Sequence, residues 1–165
     1  MKTIFSIIFF STLSLSFAQE TARIVRVKDG DTFIARWKGT EYTCRLQHVD
    51  APELSQAFGQ ASCDSLTRLL SGKTFTVLPS KTDLYGRTLV QAWVDGLRLD
   101  SLMIRKGWAW QYVNYSHDEV LKQCMVLASQ EGVGLWKCGK QNVCPPWLYR
   151  KYSVANRFRY CVGCR

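Results

Sequence analysis

The chain has 165 residues, of which 47% are hydrophobic and 13% aromatic, and its formal net charge is +9 at pH 7. This length is enough for one domain with a hydrophobic core, and the composition excludes a disordered chain. The basic charge favours polyanionic partners, such as nucleic acid or an anionic membrane surface, and does not distinguish between them.

The N-terminal segment has the pattern of a cleaved export signal. Lys2 precedes an apolar run over residues 4–15, and Ser16-Phe17-Ala18 follows it before Gln19. The run is too short for a comfortable membrane span, and no later segment is long and apolar enough. We therefore expect residues 1–18 to be a signal peptide. The mature protein is expected to be a secreted or periplasmic monomer without stable membrane association.

The cysteines predict disulfides in an oxidising compartment. Their number is odd, with cysteines at 44, 63, 124, 138, 144, 161 and 164. Cys44 is the expected free thiol, because its strand position beside Arg45 directs it into the core. Zinc or redox chemistry is the alternative, but the last four cysteines lack a familiar zinc spacing and a βαβ setting. The bridges considered are Cys63–Cys124 between two helices, and Cys138–Cys144 and Cys161–Cys164 in the tail.

Residues 29–53 read as a meander of strands. Asp29-Gly30 and Lys38-Gly39 each predict a two-residue hairpin turn, since glycine accepts the positive φ that such turns need. Between and after the turns the sequence alternates as half-buried strands do. The residues expected to face the core are Phe33, Ala35, Trp37, Cys44 and Leu46.

The same meander gathers charged residues that are distant in sequence. It can bring Asp31, Arg45, Asp50 and Glu53 together, with Pro52 ending the last ladder because proline has no N–H to donate. Carboxylates beside an arginine suggest a metal ion and a phosphate sharing one site, because hard cations take oxygen ligands and guanidinium groups bind phosphate in bidentate fashion.

The remaining elements alternate between helices and strands. In chain order they are a helix over 56–70, a strand over 73–78 ended by Pro79, a polar loop over 81–87, a strand over 89–94, a turn at 95–96, a helix over 100–106, an aromatic stretch over 108–115, and a helix begun by Ser116 as N-cap with Glu119 in a capping box. Residues 19–137 are expected to form an α+β fold, a five-stranded OB-type β-barrel with three helices. Residues 138–165 read as a basic, extended tail that packs on this domain and is attached to it by disulfides.

Several motifs together resemble the staphylococcal nuclease (thermonuclease-like) family. They are VKDGDT (27–32), CRLQHVDAPE (44–53), DLYGR (83–87), the aromatic run after Gly107, and GLWK (134–137). They lie between residues 23 and 137 in the family's order. The ending PPWLYRK (145–151) is similar to a C-terminal extension of many bacterial members. The resemblance implies an OB-fold and a Ca²⁺-dependent phosphodiesterase that cleaves DNA and RNA and leaves 3′-phosphate ends.

The resemblance also implies a role for each matching residue. Asp31 and Asp50 would be the calcium carboxylates, and Ala51, where the family often has threonine, would supply its carbonyl. Glu53 would orient or deprotonate the attacking water, while Arg45 and Arg87 would hold the phosphate.

Further residues would support this site. Thr32 would act on the metal shell through water, with Asp29 nearby, and Tyr85 would contact the substrate. Either Tyr112 or Tyr115 would be the second substrate-contacting tyrosine, and the sequence leaves this choice open.

Two other functions compete with a nuclease. An OB-fold can bind single-stranded nucleic acid without cutting it, and a secreted disulfide-rich protein can serve only in protein interactions. The retained carboxylates and arginines favour the nuclease, because a non-catalytic binder of polyanions has no need for an acidic pocket.

Overall fold

A mixed β-sheet and its surrounding helices make up the part of the chain that the computed structural model describes, residues 18–139 and 143–160. The strands are β1 (Glu20–Val27), β2 (Thr32–Trp37), β3 (Thr40–Leu46), β4 (Val49–Asp50), β5 (Thr74–Thr82), β6 (Thr88–Val94), β7 (Leu97–Arg98) and β8 (Trp110–Gln111). The helices are α1 (Gly59–Leu70), α2 (Leu99–Arg105), α3 (Glu119–Glu131), a 3₁₀ helix (Gly134–Cys138), α4 (Pro146–Lys151) and α5 (Val154–Tyr160).

The barrel closes because β3 has two partners. The sheet order is β3-β2-β1-β5-β6-β7, and β3 pairs antiparallel with β2 and parallel with β6. The parallel register sets Cys44 opposite Thr88 and Leu46 opposite Val90. Strands β1, β2, β3, β5 and β6 therefore form a closed mixed barrel. The predicted α+β fold with an OB-type barrel is confirmed.

The core lies inside this barrel and under α1 and α2. Phe33 and Ala35 are completely buried, and Trp37 is nearly so, as the alternation on β2 predicts. On β3 the predicted inward pair, Cys44 and Leu46, is also buried. The ring of Phe33 meets that of Phe75 from β5 edge to face, with centroids 5.9 Å apart.

Two of the predicted hairpin turns are confirmed and one is wrong. Lys38 and Gly39 have φ of 49° and 78°, and Asp95 and Gly96 have 52° and 77°, as a tight turn with two left-handed residues requires. At Asp29-Gly30 the connection is a longer loop over residues 28–31, and Gly30 does not have positive φ. The reason for glycine there is space, since a Cβ would lie 1.9 Å from the Ser62 Oγ.

The predicted starts of two helices are wrong for local reasons. Helix α1 begins at Gly59 instead of residue 56, because Phe58 has a left-handed φ of 67° that a helix cannot contain. Helix α3 is capped by Asp118 instead of Ser116. The Asp118 Oδ1 accepts hydrogen bonds from the backbone N–H groups of Val120 and Leu121, at 2.9 and 3.4 Å.

Strand β5 also differs from the prediction, because it continues through Pro79 to Thr82. Pro79 stands opposite Val90, and the register with β6 becomes irregular just after it. Proline is tolerated at such a bulge, since the regular ladder is already interrupted there.

The predicted extended tail is wrong, because the described part of the tail is largely helical. Helix α4 has Pro146 at its start, where the missing N–H would have no intrahelical partner, and α5 follows after a short break. The ring of Trp147 meets that of Trp110 at 6.3 Å in an edge-to-face contact, so α4 packs on the domain near β8. Among the described residues no helix could cross a membrane. The predicted signal peptide lies outside the described residues, apart from Ala18.

The cysteines test part of the disulfide prediction. Cys44, Cys63 and Cys124 are free thiols, so the bridge considered between Cys63 and Cys124 is wrong and the assignment of Cys44 as a buried free thiol is confirmed. Cys138 and Cys144 are not among these free thiols. Cys161 and Cys164 lie outside the described residues, and the pairing of the tail cysteines stays a prediction.

The Cys44 thiol is expected to react only after unfolding. Burial raises the pKa of Cys44 to about 12, and its Sγ is enclosed by the barrel, so neither thiolate nor access is available near neutral pH. Pulse alkylation followed by peptide mass spectrometry should label the half-buried Cys63 and Cys124 first. Labelling of Cys44 in the folded protein at the rate of Cys63 would contradict this burial.

Candidate active site

The loop before β2 turns Asp31 inward. The Asp29 Oδ1 accepts hydrogen bonds from the backbone N–H groups of Asp31 and Thr32, at 3.0 and 2.7 Å, and this local turn fixes the backbone. The Thr32 hydroxyl in turn donates to the Asp31 Oδ1 at 3.0 Å. The structure thus places both residues beside Asp31, where Asp29 fixes the backbone and Thr32 orients the carboxylate.

The Asp31 carboxylate is buried, with 5% of the residue exposed. Its Oδ2 accepts a hydrogen bond of 2.7 Å from the backbone N–H of Ala51, which joins the β2 loop to the loop after β4. Burial raises the pKa of Asp31 to about 7, although Arg45 pulls it down. Arg45 therefore does not fully offset the cost of burying the ionised carboxylate, and a further cation beside Asp31 would stabilise its negative charge.

Arg45 joins the two aspartates. Its Nε lies 3.1 Å from the Asp31 Oδ1 and its Nη2 lies 3.3 Å from the Asp50 Oδ1. Its Nη1 donates to the backbone carbonyls of Leu46 and Val49 at 2.6 and 2.7 Å. All three nitrogens are engaged and the side chain is 10% exposed. Arg45 therefore organises the carboxylates, and a phosphate would meet only the second N–H of Nη2.

Asp50 and Glu53 differ in exposure. Asp50 lies on β4, whose pairing with Trp110 of β8 buries it, and 1% of its side chain is exposed. Glu53 lies on the following loop with 40% of its side chain exposed. Gln56 holds that loop by accepting from the Glu53 N–H and donating its own N–H to the Glu53 carbonyl. Solvent can reach Glu53 but not Asp50.

Helix α1 packs closely against the backbone of Glu53 at Gly59. A Cβ at Gly59 would lie 1.9 Å from the Glu53 carbonyl oxygen, so only glycine permits this approach. The start of α1 therefore sets the position of Glu53.

Arg150 completes the cluster, and sequence reasoning missed it. Its Nη1 and Nη2 donate to the Oδ1 and Oδ2 of Asp50 at 3.1 and 2.8 Å, and Nη1 also donates to the Glu53 Oε1 at 2.9 Å. Arg150 belongs to α4, far along the chain from both carboxylates. The only sequence signal is its place in the PPWLYRK ending, which marks a shared extension and no role.

Arg87 and Tyr85 lie on the loop between β5 and β6, apart from the carboxylates. The Arg87 Nε donates to the Asp83 Oδ2 at 2.8 Å, and its guanidinium lies 5.4 Å from the centre of the Tyr85 ring. Within the described residues no ion pair joins Arg87 to Asp31, Asp50 or Glu53. The register sets Leu89 opposite Arg45, so the loop that carries Arg87 adjoins the β3 strand that carries Arg45.

The rings of the two predicted tyrosines, Tyr112 and Tyr115, contact each other at a tilt of 58°, with centroids 4.6 Å apart. Tyr112 is half-buried, and its pKa is raised by burial and then by the charge of Asp50. Tyr115 is 69% exposed. Tyr112 is therefore the tyrosine that the charge of Asp50 reaches, and Tyr115 is the more exposed of the pair.

The donor atoms fit a hard, partly hydrated divalent cation. In the described ranges no three His, Cys, Asp or Glu side chains form a ready-made metal cage. The donors would instead be the carboxylates of Asp31 and Asp50, each contacted by Arg45 on one oxygen, with the Ala51 carbonyl that the family resemblance implies. Oxygen-only donors suit Ca²⁺ or Mg²⁺, which complete their shells with water and substrate oxygens. The under-compensated charge of Asp31 is consistent with such an ion.

Comparisons with known proteins identify the family of this chain. The family model described as staphylococcal nuclease homologue matches residues 43–138. An uncharacterized endonuclease of Escherichia coli O157:H7 is 40% identical over 129 residues, covering 78% of this chain and 83% of the relative. An uncharacterized endonuclease of Haemophilus influenzae is 35% identical, covering 91% and 84%. The micrococcal nuclease of Shigella flexneri is 28% identical, covering 84% of each chain. With this barrel and this carboxylate cluster, the chain belongs to the staphylococcal nuclease family.

Proposed function

We propose that the chain is a Ca²⁺-dependent nuclease that hydrolyses the phosphodiester bonds of DNA and RNA and leaves 3′-phosphate ends. Membership of the family supports the coarser statement, a metal-dependent hydrolase of nucleic acid. The observation that carries the proposal is the buried pair Asp31 and Asp50, bridged by Arg45, with Glu53 exposed at its rim. The basic charge of the chain favours the polyanionic substrate.

The site residues divide the work of phosphodiester hydrolysis. Asp31, Asp50 and the Ala51 carbonyl would hold Ca²⁺, which when bound neutralises phosphate charge as a Lewis acid. Glu53 is reachable by solvent and accepts a proton from the attacking water. The water oxygen bonds to phosphorus, the bond to the 5′-oxygen breaks, that oxygen takes a proton from solvent, and Glu53 later returns its own proton to solvent. The products are then a 3′-phosphate and a 5′-hydroxyl.

Substrate contacts would come from an arginine and three tyrosines outside the carboxylate cluster. Arg87 offers a half-exposed guanidinium that can leave Asp83 for a phosphate, because both partners are anionic oxygens. Tyr85 is 84% exposed beside it, and a base can stack on its ring. Tyr112 and Tyr115 form a second aromatic platform near Asp50.

Digestion of plasmid DNA and of a structured RNA by residues 19–165 tests the proposal. We expect cleavage of both polymers with Ca²⁺ and none with a chelator, and products that polynucleotide kinase labels directly at their 5′-hydroxyl ends. Mg²⁺ in place of Ca²⁺ tests the identity of the ion. A shift in DNA mobility without cleavage under every condition would instead favour the non-catalytic OB-fold binder.

We further propose that residues 1–18 direct export and that disulfides staple the tail cysteines in the oxidising compartment. The proposal is supported by the apolar run after Lys2 and by the clustering of cysteines after residue 137. Cell fractionation and non-reducing peptide mapping test the two parts separately. Free thiols at the tail cysteines of exported protein would contradict the second.

A further inference from the structure

Residues 144–150, which we call the latch, dock on the loop that carries Glu53. The Tyr149 hydroxyl donates to the Ser55 carbonyl at 3.0 Å and lies 3.0 Å from the Ser55 Oγ. The Gln56 side-chain amide donates to the carbonyl of Cys144. Tyr149 is 8% exposed, so the latch is anchored by a buried side chain on the same loop that positions Glu53.

The latch delivers one cationic group into the cluster. Arg150 uses both Nη atoms on both oxygens of Asp50, in the forked geometry that is the strongest arginine–carboxylate pairing. The same Nη1 also binds the Glu53 Oε1. Together with Arg45 on Oδ1, this leaves neither Asp50 oxygen free of a guanidinium partner.

We propose that Arg150 is an internal competitor for the cation site, so that the latch holds the nuclease inactive until Arg150 leaves Asp50. This inference rests on the proposed function, because it takes Asp50 to be a Ca²⁺ ligand and Glu53 to be the base. Arg150 contacts both Asp50 oxygens, and its positive charge would repel a divalent cation at the same oxygens, so docking of Arg150 must weaken cation binding.

Release of Asp50 and release of Glu53 are coupled, because both carboxylates bind the same Arg150 guanidinium. When Arg150 leaves Asp50 it also leaves Glu53, and Glu53 then regains the free carboxylate oxygen that a proton acceptor needs. Binding equilibria are reciprocal, so a latch that weakens Ca²⁺ binding must itself be loosened by Ca²⁺ to the same degree. Ca²⁺ affinity and latch docking therefore report on each other without any measurement of cleavage.

Calorimetric Ca²⁺ titration of the full mature chain tests the competition. Arg150→Met keeps much of the apolar stem and removes the charge, and it should tighten Ca²⁺ binding by about 5- to 150-fold, the usual range of such coupling. Lys151→Met is the matched control, since it removes the same charge from an exposed position on the same helix, and it should leave the affinity unchanged.

A second variant separates docking from simple charge repulsion. Tyr149→Phe removes the hydroxyl that binds Ser55 and leaves every charge in place. It should also tighten Ca²⁺ binding, less than Arg150→Met does, because it only weakens the docked state. Hydrogen exchange of residues 146–157 should become faster when Ca²⁺ is added to the wild-type chain, and the melting temperature of each variant shows that it is folded.

The outcomes are distinct. Equal Ca²⁺ affinity in the wild type, Arg150→Met and Tyr149→Phe would overturn the latch and leave the calcium site standing. Weaker binding in Arg150→Met would overturn it too, and would mark Arg150 as a residue that supports the metal site. If neither the wild type nor any variant binds Ca²⁺, both the latch and the proposed calcium dependence are contradicted.

Discussion

Replacing Glu53 with glutamine is expected to lower kcat by about 10²–10⁴-fold, the usual contribution of a general base. The amide has the same shape and cannot accept a proton from the attacking water. Ca²⁺ and nucleic acid should still bind, because neither Asp31 nor Arg45 contacts the Glu53 side chain in the part of the chain that the structure describes. Initial rates on a short single-stranded DNA at neutral pH, with Ca²⁺ affinity measured alongside, give both quantities.

The matched control for this substitution is Glu41→Gln on β3. Glu41 has a similar exposure, 44% of its side chain, and it also pairs with one arginine, Arg36. It lies outside the carboxylate cluster, so its loss should leave kcat unchanged. Near-normal cleavage by Glu53→Gln at neutral pH would reject Glu53 as the base and require another proton acceptor.

The barrel was predictable from the sequence because its signals are local. Alternation on β2 and β3 and the turn at Lys38-Gly39 predict two strands and their inward faces within residues 32–46. The parallel pairing of β3 with β6 that closes the barrel has no such signature, since it joins strands distant in sequence. It entered the prediction only through the expected fold type.

Glycine shows where a local signal misleads. The Asp-Gly pair at 29–30 matches a hairpin turn, yet Gly30 serves the close approach of Ser62 and Ala51. Positive φ and lack of space are different reasons for the same residue. Only the packed structure distinguishes them, because Ser62 arrives from α1.

Part of the candidate site could also be predicted from the sequence, and part of it could not. Asp31, Arg45, Asp50 and Glu53 lie on one meander, so their convergence could be predicted. Arg150 comes from a separate helix and is separated from Glu53 by 97 positions. A helix of six residues is too short to show periodicity, and Pro145-Pro146 reads as a breaker when Pro146 in fact begins α4.

Replacing Asp31 with asparagine is expected to weaken Ca²⁺ binding on the order of 10²-fold or more, since it removes a full negative charge from the ion's own ligands and even supporting residues matter by about 10–100-fold. Asp31→Asn leaves the contact between Arg150 and Asp50 in place. Asp50→Asn removes a ligand and also weakens the hold of its competitor Arg150. The loss of apparent Ca²⁺ affinity should therefore be smaller for Asp50→Asn than for Asp31→Asn.

Calorimetry on the two variants and a control decides this comparison. Asp95→Asn is the control, because Asp95 is 64% exposed on a distant turn and asparagine suits its left-handed backbone. Its Ca²⁺ affinity should match the wild type. Unchanged affinity in both Asp31→Asn and Asp50→Asn would place the ion elsewhere. A loss in Asp50→Asn as large as that in Asp31→Asn would mean that Arg150 does not compete for the site.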